Sequence, residues 1–303
     1  MAFHQPTAAP SARPLSLSAI ALVLLCCLSW GFNQIAVKLV LPEIPPFLQA
    51  ALRSVGALIV IGLIARARGV KLWQRDGALR AGVFAGVLFG LEFVLIYRGL
   101  MLTTASRAVV FLYTAPFFVA FGAYQLLHER LRRLQWGGLA LSFVGVALAI
   151  GVPQPDVDAR VLFGDLMMIG GGALWAATTL IVKTTRLGQV PAEKGLGYQV
   201  AVSIPILAVA AWLSGETLPH WPGPLSWALL AYQAIWVVGL TFLLWFGLVK
   251  TYSASKLSSF TFITPLFGVA AGYLIMGDPL TPAFGVAALL VTAGLYLVNR
   301  PAS

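Results

Sequence analysis

Charge is what this 303-residue chain has least of: Asp, Glu, Lys and Arg make up 10% of it, against roughly a quarter in an ordinary globular domain. A soluble protein this poor in charge could not wet its surface. Hydrophobic residues supply 59% of the chain, so lipid is the implied solvent. Histidine is nearly missing as well. His4, His128 and His220 fall in tails or loops, which leaves no metal-ligand spacing and no Ser/His/Asp arrangement inside an apolar run. No G-x4-G-K-[ST] segment occurs, which excludes P-loop nucleotide hydrolysis. No cofactor and no metal are therefore expected. The only cysteines, Cys26 and Cys27, are adjacent within an apolar run. Neighbours on one helix do not form an ordinary bridge, so they read as small packing residues.

The net charge of +10 raises nucleic acid as a partner, but the basic residues sit between apolar runs. Arg66, Arg68, Lys71, Arg75 and Arg80 form one cluster, and Arg130, Arg132 and Arg133 another. That is the pattern of loops touching anionic lipid, and no nucleic-acid-reading module accompanies it.

A bilayer core needs about 20 apolar residues per helix. Ten runs qualify: 16–39, 46–65, 78–99, 105–127, 133–151, 163–183, 195–214, 226–249, 256–276 and 282–299. The expected class is an all-α integral membrane protein of ten transmembrane helices. The first run continues through Trp30 and Asn33 to Lys38 without a small-x-small cleavage pattern, and reads as a retained helix. Residues 1–14 read as a disordered cytoplasmic tail. With the N-terminus in the cytoplasm, every Lys and Arg except Lys38, Arg53, Arg98, Arg107 and Arg160 falls on the cytoplasmic side. Both termini are therefore expected there.

The two halves resemble each other. Trp30 precedes Lys38 by eight residues, as Trp175 precedes Lys183. At a single offset of 149, Ala105-Ser106-Arg107 lies over Ala254-Ser255-Lys256, Phe111 over Phe260, Pro116 over Pro265, Tyr124 over Tyr273, Glu129 over Asp278 and Gly145 over Gly294. Each half holds five helices, an odd number, so the second must enter the membrane inverted relative to the first. The predicted organisation is two inverted five-helix repeats, 15–152 and 160–300. Inverted repeats are the architecture of alternating-access transporters, with the substrate near the midplane.

The Pro-x12-acid spacing (Pro116 to Glu129, Pro265 to Asp278) and the run from Gly137-Gly138 to Gly145-Val146 resemble the EamA-type repeat of the drug/metabolite transporter superfamily. The resemblance spans about 16–299. It implies export of small metabolites, notably amino acids, including aromatic ones. It also implies a basket in which helices 1–4 and 6–9 surround a central cavity while 5 and 10 pack outside. Asp278 stands where the repeat usually has Glu.

Ionisable groups at membrane depth are costly and default to functional hypotheses. Glu92 lies about seven residues from the end of its helix, or roughly 11 Å deep at ~1.5 Å per residue. Arg53 lies at matching depth, so an ion pair is possible. Glu92 could instead bind a substrate ammonium or a proton. Trp30, Asn33, Gln34 and Val37 share one helix face, and Trp175, Thr178, Thr179 and Val182 share the equivalent face. Such a face suits a small zwitterion, or else serves as interhelical glue. Pro116 and Pro265 are expected to kink their helices, as hinges or as static bends, with Thr114 and Thr264 able to serve the freed backbone. Tyr97, Tyr113, Trp245 and Phe262 are candidates for an aromatic pocket, or interfacial anchors. Gly82, Gly86 and Gly90 form a small-residue packing ridge. Lys38 and Lys183 are expected to snorkel.

The expected function is secondary export of amino acids or similar small metabolites across the inner membrane, by alternating access and without enzymatic activity. A monomer in lipid is the expected unit. A facilitator or channel, or an intramembrane lipid-modifying enzyme, are the alternatives.

Overall fold

A computed structural model describes residues 15–103, 105–150, 158–277 and 282–300. The tail of 1–14 and Asp278 lie outside the described residues. Among the described residues ten helices are long and apolar enough to cross a membrane: α1 (Leu17–Val40), α2 (Pro46–Ala67), α3 (Leu79–Leu100), α4 (Arg107–Leu127), α5 (Arg133–Ile150), α6 (Ala159–Thr184), α7 (Ala192–Leu213), α8 (Pro224–Thr251), α9 (Ala254–Met276) and α10 (Pro282–Asn299). Each boundary falls within four residues of its sequence reading.

Local chemistry sets several of these boundaries. Ser16 accepts a hydrogen bond from the Ala19 amide at 3.2 Å and Asp158 one from Val161 at 2.9 Å, starting α1 and α6 as N-caps. Pro46 and Pro224 open α2 and α8, where their missing N–H has no partner to lose. Solvent preference is reversed relative to a soluble bundle. Leu63, Leu166, Leu274 and Leu289 are exposed, while Gln49, Arg53, Glu92 and Gln233 are buried. That distribution fits lipid outside and polar groups inside.

The helix contacts exchange under a shift of five. α1 packs on α8 and α9 as α6 packs on α3 and α4, and α2 meets α8 as α7 meets α3. The α2–α7 and α5–α10 contacts map onto themselves. At the first, Ser203 Oγ lies 3.3 Å from Ser54 Oγ, 149 residues apart; at the second, Ser142 Oγ meets the Val291 carbonyl at 3.4 Å, again 149 apart. Residues at the same offset thus touch at both contacts. α5 and α10 pack closely on small residues. A Cβ on Gly145 would lie 3.0 Å from the Ala287 carbonyl, and one on Gly138 2.7 Å from that of Gly294. The Gly82/Gly86/Gly90 ridge packs on α7, against Tyr198, Val202 and Ile206 respectively.

Both prolines interrupt their helices. α4 breaks between Ala105–Leu112 and Ala115–Leu127. α9 tightens into a 3-10 turn over Phe260–Ile263, just before Pro265. The Thr114 hydroxyl donates to the Phe111 carbonyl at 2.6 Å. Thr264 does not repeat this; Cys27 Sγ approaches the Phe260 carbonyl instead, at 3.5 Å. Both cysteines are free and buried. α8 also loosens to a π-helix over Tyr232–Thr241, which makes its backbone depart from that of α3.

Candidate functional site

A cavity of about 210 Å³ lies at the centre of the bundle. Its walls come from α1, α2, α3, α4, α6, α7 and α8. The outer pair α5 and α10 contributes nothing to it. α9 contributes nothing either, although the family resemblance puts helix 9 among the walls.

Of the residues singled out in the sequence, Trp30, Asn33, Gln34, Glu92, Tyr97, Tyr113, Trp175, Thr178, Thr179 and Trp245 all line this one cavity. The exception is Phe262. It is fully buried in an aromatic cluster with Phe117 at 6.1 Å and Phe143 at 6.5 Å, because the N-terminal half of α9 is drawn against α4 and α5. Pro116 and Pro265 do not line the cavity; both are buried in the bundle.

Trp30 is the best-fixed side chain at the site. Its indole N–H donates to Thr241 at 2.9 Å. Its ring makes edge contacts with Phe242 at 5.7 Å and Trp245 at 5.3 Å. Tyr113 meets Trp175 edge-on at 6.1 Å across the other half. The hydroxyls of Thr178 and Thr179 both donate to the Trp175 carbonyl, at 2.7 and 3.0 Å. They therefore offer lone pairs to the cavity rather than protons.

Arg53 and Glu92 face the same cavity but do not form the ion pair that their depths allowed; they are more than 4.0 Å apart. Arg53 lays its guanidinium over Phe93, 4.3 Å from the ring centroid, with Nε and Nη2 unpartnered. Glu92 Oε2, Gln199 Nε2 and Asn33 Oδ1 are unpartnered as well. Phe89, Phe93, Gln199, Phe242 and Phe246 also line the cavity and were not marked in the sequence. A lone Phe or Gln within an apolar run carries no signal there; only the assembled helices show which face turns inward.

The ends of the bundle hold charge differently. α4 ends at His128 in the left-handed region (φ 55), which turns Glu129 back across the bundle. There Glu129 accepts from Ser253 Oγ at 2.7 Å, Ala254 N at 3.1 Å and Ser255 N at 3.2 Å, and lies 3.5 Å from Lys183. It caps the N-terminus of α9. Burial pushes its carboxyl up, but the Ser253 hydroxyl, the Lys183 ammonium and the two amides outweigh that and hold it below the ordinary carboxylate value. Lys183 is thus a part-buried partner of Glu129 and not the snorkelling lysine expected, whereas Lys38 is exposed. Arg68 meets Glu193 at 2.7 Å, and Lys194 meets Asp76 at 2.6 Å, at the same end. At the opposite end Glu216 accepts from the Phe47 and Leu48 amides at 3.3 and 2.8 Å, capping α2. Asp165, buried early in α6, takes a two-pronged contact from Arg107 and a hydrogen bond from Thr103 at 2.7 Å. Glu92 is therefore not the only buried carboxylate within a span. The sequence reading began that helix at 163, which left Asp165 at its edge.

The profile of the EamA-like transporter family matches residues 17–151 and 162–300. The uncharacterized transporter YoaV of Bacillus subtilis (strain 168) is 23% identical over 273 residues, covering 89% of this chain and 92% of that one. A protein of Salmonella typhimurium named as a probable amino-acid metabolite efflux pump is 26% identical over 292 residues, covering 91% and 93%. A solved crystal structure superposes with a TM-score of 0.78 at 21% identity, covering 92% of this chain and 96% of the other, which extends the likeness to the fold. Two family matches, one per half, joined to ten membrane helices around a central cavity, place the chain in the EamA-like transporter family.

Proposed function

We propose that this protein is a secondary transporter, exporting amino acids or similar small metabolites across the inner membrane by alternating access, with its halves as inverted repeats. The observation that carries this reading is the unequal share of α4 and α9 in the cavity wall. The two helices correspond at an offset of 149, yet Tyr113 of α4 lines the cavity while its equivalent, Phe262 of α9, is buried away from it. Halves that share a fold but differ at this point represent the two sides of one exchange: in the opposite state α9 takes the place of α4. The broken helices at Pro116 and Pro265 supply the hinges, and contacts between equivalent residues at Ser54/Ser203 suit an axis about which the halves rock.

The size of the cavity favours small cargo, since drug-sized ligands occupy sites of roughly 300–1,000 Å³. The Salmonella relative's name favours amino acids. The basic end, where Glu129 closes α4 onto α9, would face the cytoplasm under the positive-inside rule, with both termini on that side. A lipid-modifying enzyme would need an acid/base pair at depth, and Arg53 and Glu92 do not pair.

Counterflow in proteoliposomes tests the reading. Unlabelled amino acid trapped inside should accelerate entry of labelled amino acid outside, above vesicles without protein. Conductance without counterflow would support a channel instead, and the absence of both would defeat the proposal.

A further inference from the structure

A basic and an acidic side chain face one cavity without forming an ion pair within 4.0 Å. Arg53 is 3% exposed and Glu92 7%, and their unpartnered atoms, Arg53 Nε and Nη2 and Glu92 Oε2, are sealed from the surroundings. In a low-dielectric space such groups attract strongly, so something must hold them apart. Phe93 does this. The guanidinium is seated on its ring, and Phe89 backs that ring edge-on at 5.1 Å. Glu92 precedes Phe93 on α3, so its side chain leaves the helix ~100° away from the face that Arg53 occupies.

The scaffold does not require either charge. At the offset of 149 seen in the Ser54/Ser203 contact, Arg53 corresponds to Val202 and Glu92 to Thr241. The second half carries an apolar and a neutral residue at these positions, although the π-helix that ends at Thr241 sets α8 apart from α3 there. A buried guanidinium and a buried carboxylate, each missing a partner and neither needed by the fold, are complementary to a ligand that brings both opposite charges.

We infer that Arg53 and Glu92 form a split clamp for the head group of a zwitterionic α-amino acid. Arg53 receives the carboxylate through its guanidinium, which can offer a carboxylate a two-pronged contact. Glu92 receives the ammonium. Asn33 Oδ1, an unpartnered acceptor on the same wall, adds a second contact for the ammonium, and Gln199 Nε2, an unpartnered donor, a second for the carboxylate. The side chain of the ligand then faces Trp30, Phe242 and Trp245. The clamp rests on the amino-acid reading of the transporter and narrows it: the cargo must carry both charges.

The test uses three probes of nearly one shape: phenylalanine, phenylalaninamide, which lacks the carboxylate, and 3-phenylpropionate, which lacks the ammonium. Binding to the purified full chain is read by calorimetry, and transport by counterflow in proteoliposomes. The unaltered protein should bind phenylalanine at least ~10-fold more tightly than either analogue. Arg53→Gln should lose that preference over the amide while keeping it over the propionate, and Glu92→Gln should do the reverse. Arg53→Lys, which keeps the charge without the fork, should retain the preference at reduced affinity and guards against loss of fold in Arg53→Gln. A uniform fall for all three probes in both glutamine variants overturns the clamp, as does a protein that binds no zwitterion. Zwitterion binding with the crossed pattern but no counterflow would keep the clamp and defeat the transporter reading. Counterflow without the crossed pattern would do the opposite.

Discussion

The ends and the middle of this bundle treat buried charge in opposite ways. At the ends Asp165 is gripped by Arg107 and Thr103, Glu129 by two serines, an amide pair and Lys183, and Glu193 by Arg68. In the middle Arg53 and Glu92 share a cavity without touching. Both regions hold ionised groups away from water, so burial alone cannot identify a binding site. Partnership distinguishes them. A charge whose hydrogen bonds are met within the protein holds helices together; one whose hydrogen bonds are not met does not, and the clamp proposed above gives it a use. Glu129 joins the N-terminus of α9 to the end of α4, the same end of α9 that carries Phe262 outside the cavity wall.

The contrast predicts graded stability losses. Asp165→Asn removes the counter-charge of a buried guanidinium and should cost about 3–5 kcal/mol, read as a fall in the thermal midpoint of the protein in detergent micelles. A loss below ~1 kcal/mol would show that the ends are not held by charge. Glu129→Gln should cost less, about 2–3 kcal/mol, because Lys183 keeps the Tyr252 carbonyl as a partner. The same substitution should expose a cysteine placed at Ser255 to a water-soluble maleimide. Acid should imitate it. The Glu129 carboxyl titrates below its ordinary value, so its contribution is fully present above the ordinary carboxylate range and is lost as pH falls through the lowered value. Maleimide reaction at Ser255→Cys should therefore rise on acidification in the native protein and stay flat in the Glu129→Gln background. A third change tests packing in place of charge. Gly86→Ala would put a methyl 2.6 Å from Val202 Cβ and 2.8 Å from the Tyr198 carbonyl, costing ~1–3 kcal/mol, while Gly62→Ala meets nothing within 4 Å and should not destabilise.

Much of the frame was legible in the sequence because lipid makes a coarse demand. Ten apolar runs, charges in the loops and a Pro, Tyr and acid recurring at one offset fix helices and the kinship of the halves without any knowledge of side-chain packing. The cavity was legible where polarity interrupted an apolar run, as at Asn33, Glu92 and Thr178. It was not legible where the signal depends on how a helix is rotated or displaced. Phe89 and Phe246 look like any other lipid-facing phenylalanine in one dimension. Tyr113 and Phe262 occupy equivalent positions, and both were candidates for an aromatic pocket. The structure separates them: Tyr113 lines the cavity, while Phe262 is buried among Phe117 and Phe143. Lys183 was misjudged for a related reason. Its partner Glu129 arrives only because the backbone turns back at His128.

The smallest expected effect is the most telling. Glu92→Gln should leave the thermal midpoint close to that of the unaltered protein, within the equivalent of ~1 kcal/mol, or raise it. No hydrogen bond to Oε2 is lost, no ion pair within 4.0 Å is broken, and a charge held at membrane depth is replaced by a neutral group of the same shape. A structural carboxylate behaves otherwise, since cutting a satisfied pair strands the remaining charge. Glu92→Gln and Glu129→Gln remove the same atoms' charge from the same residue type in one bundle. If the two cost the protein equal stability, then Glu92 has a partner within the protein and the middle is built like the ends. If Glu92→Gln leaves stability intact while substrate binding falls, the unpaired charge is held for the cargo.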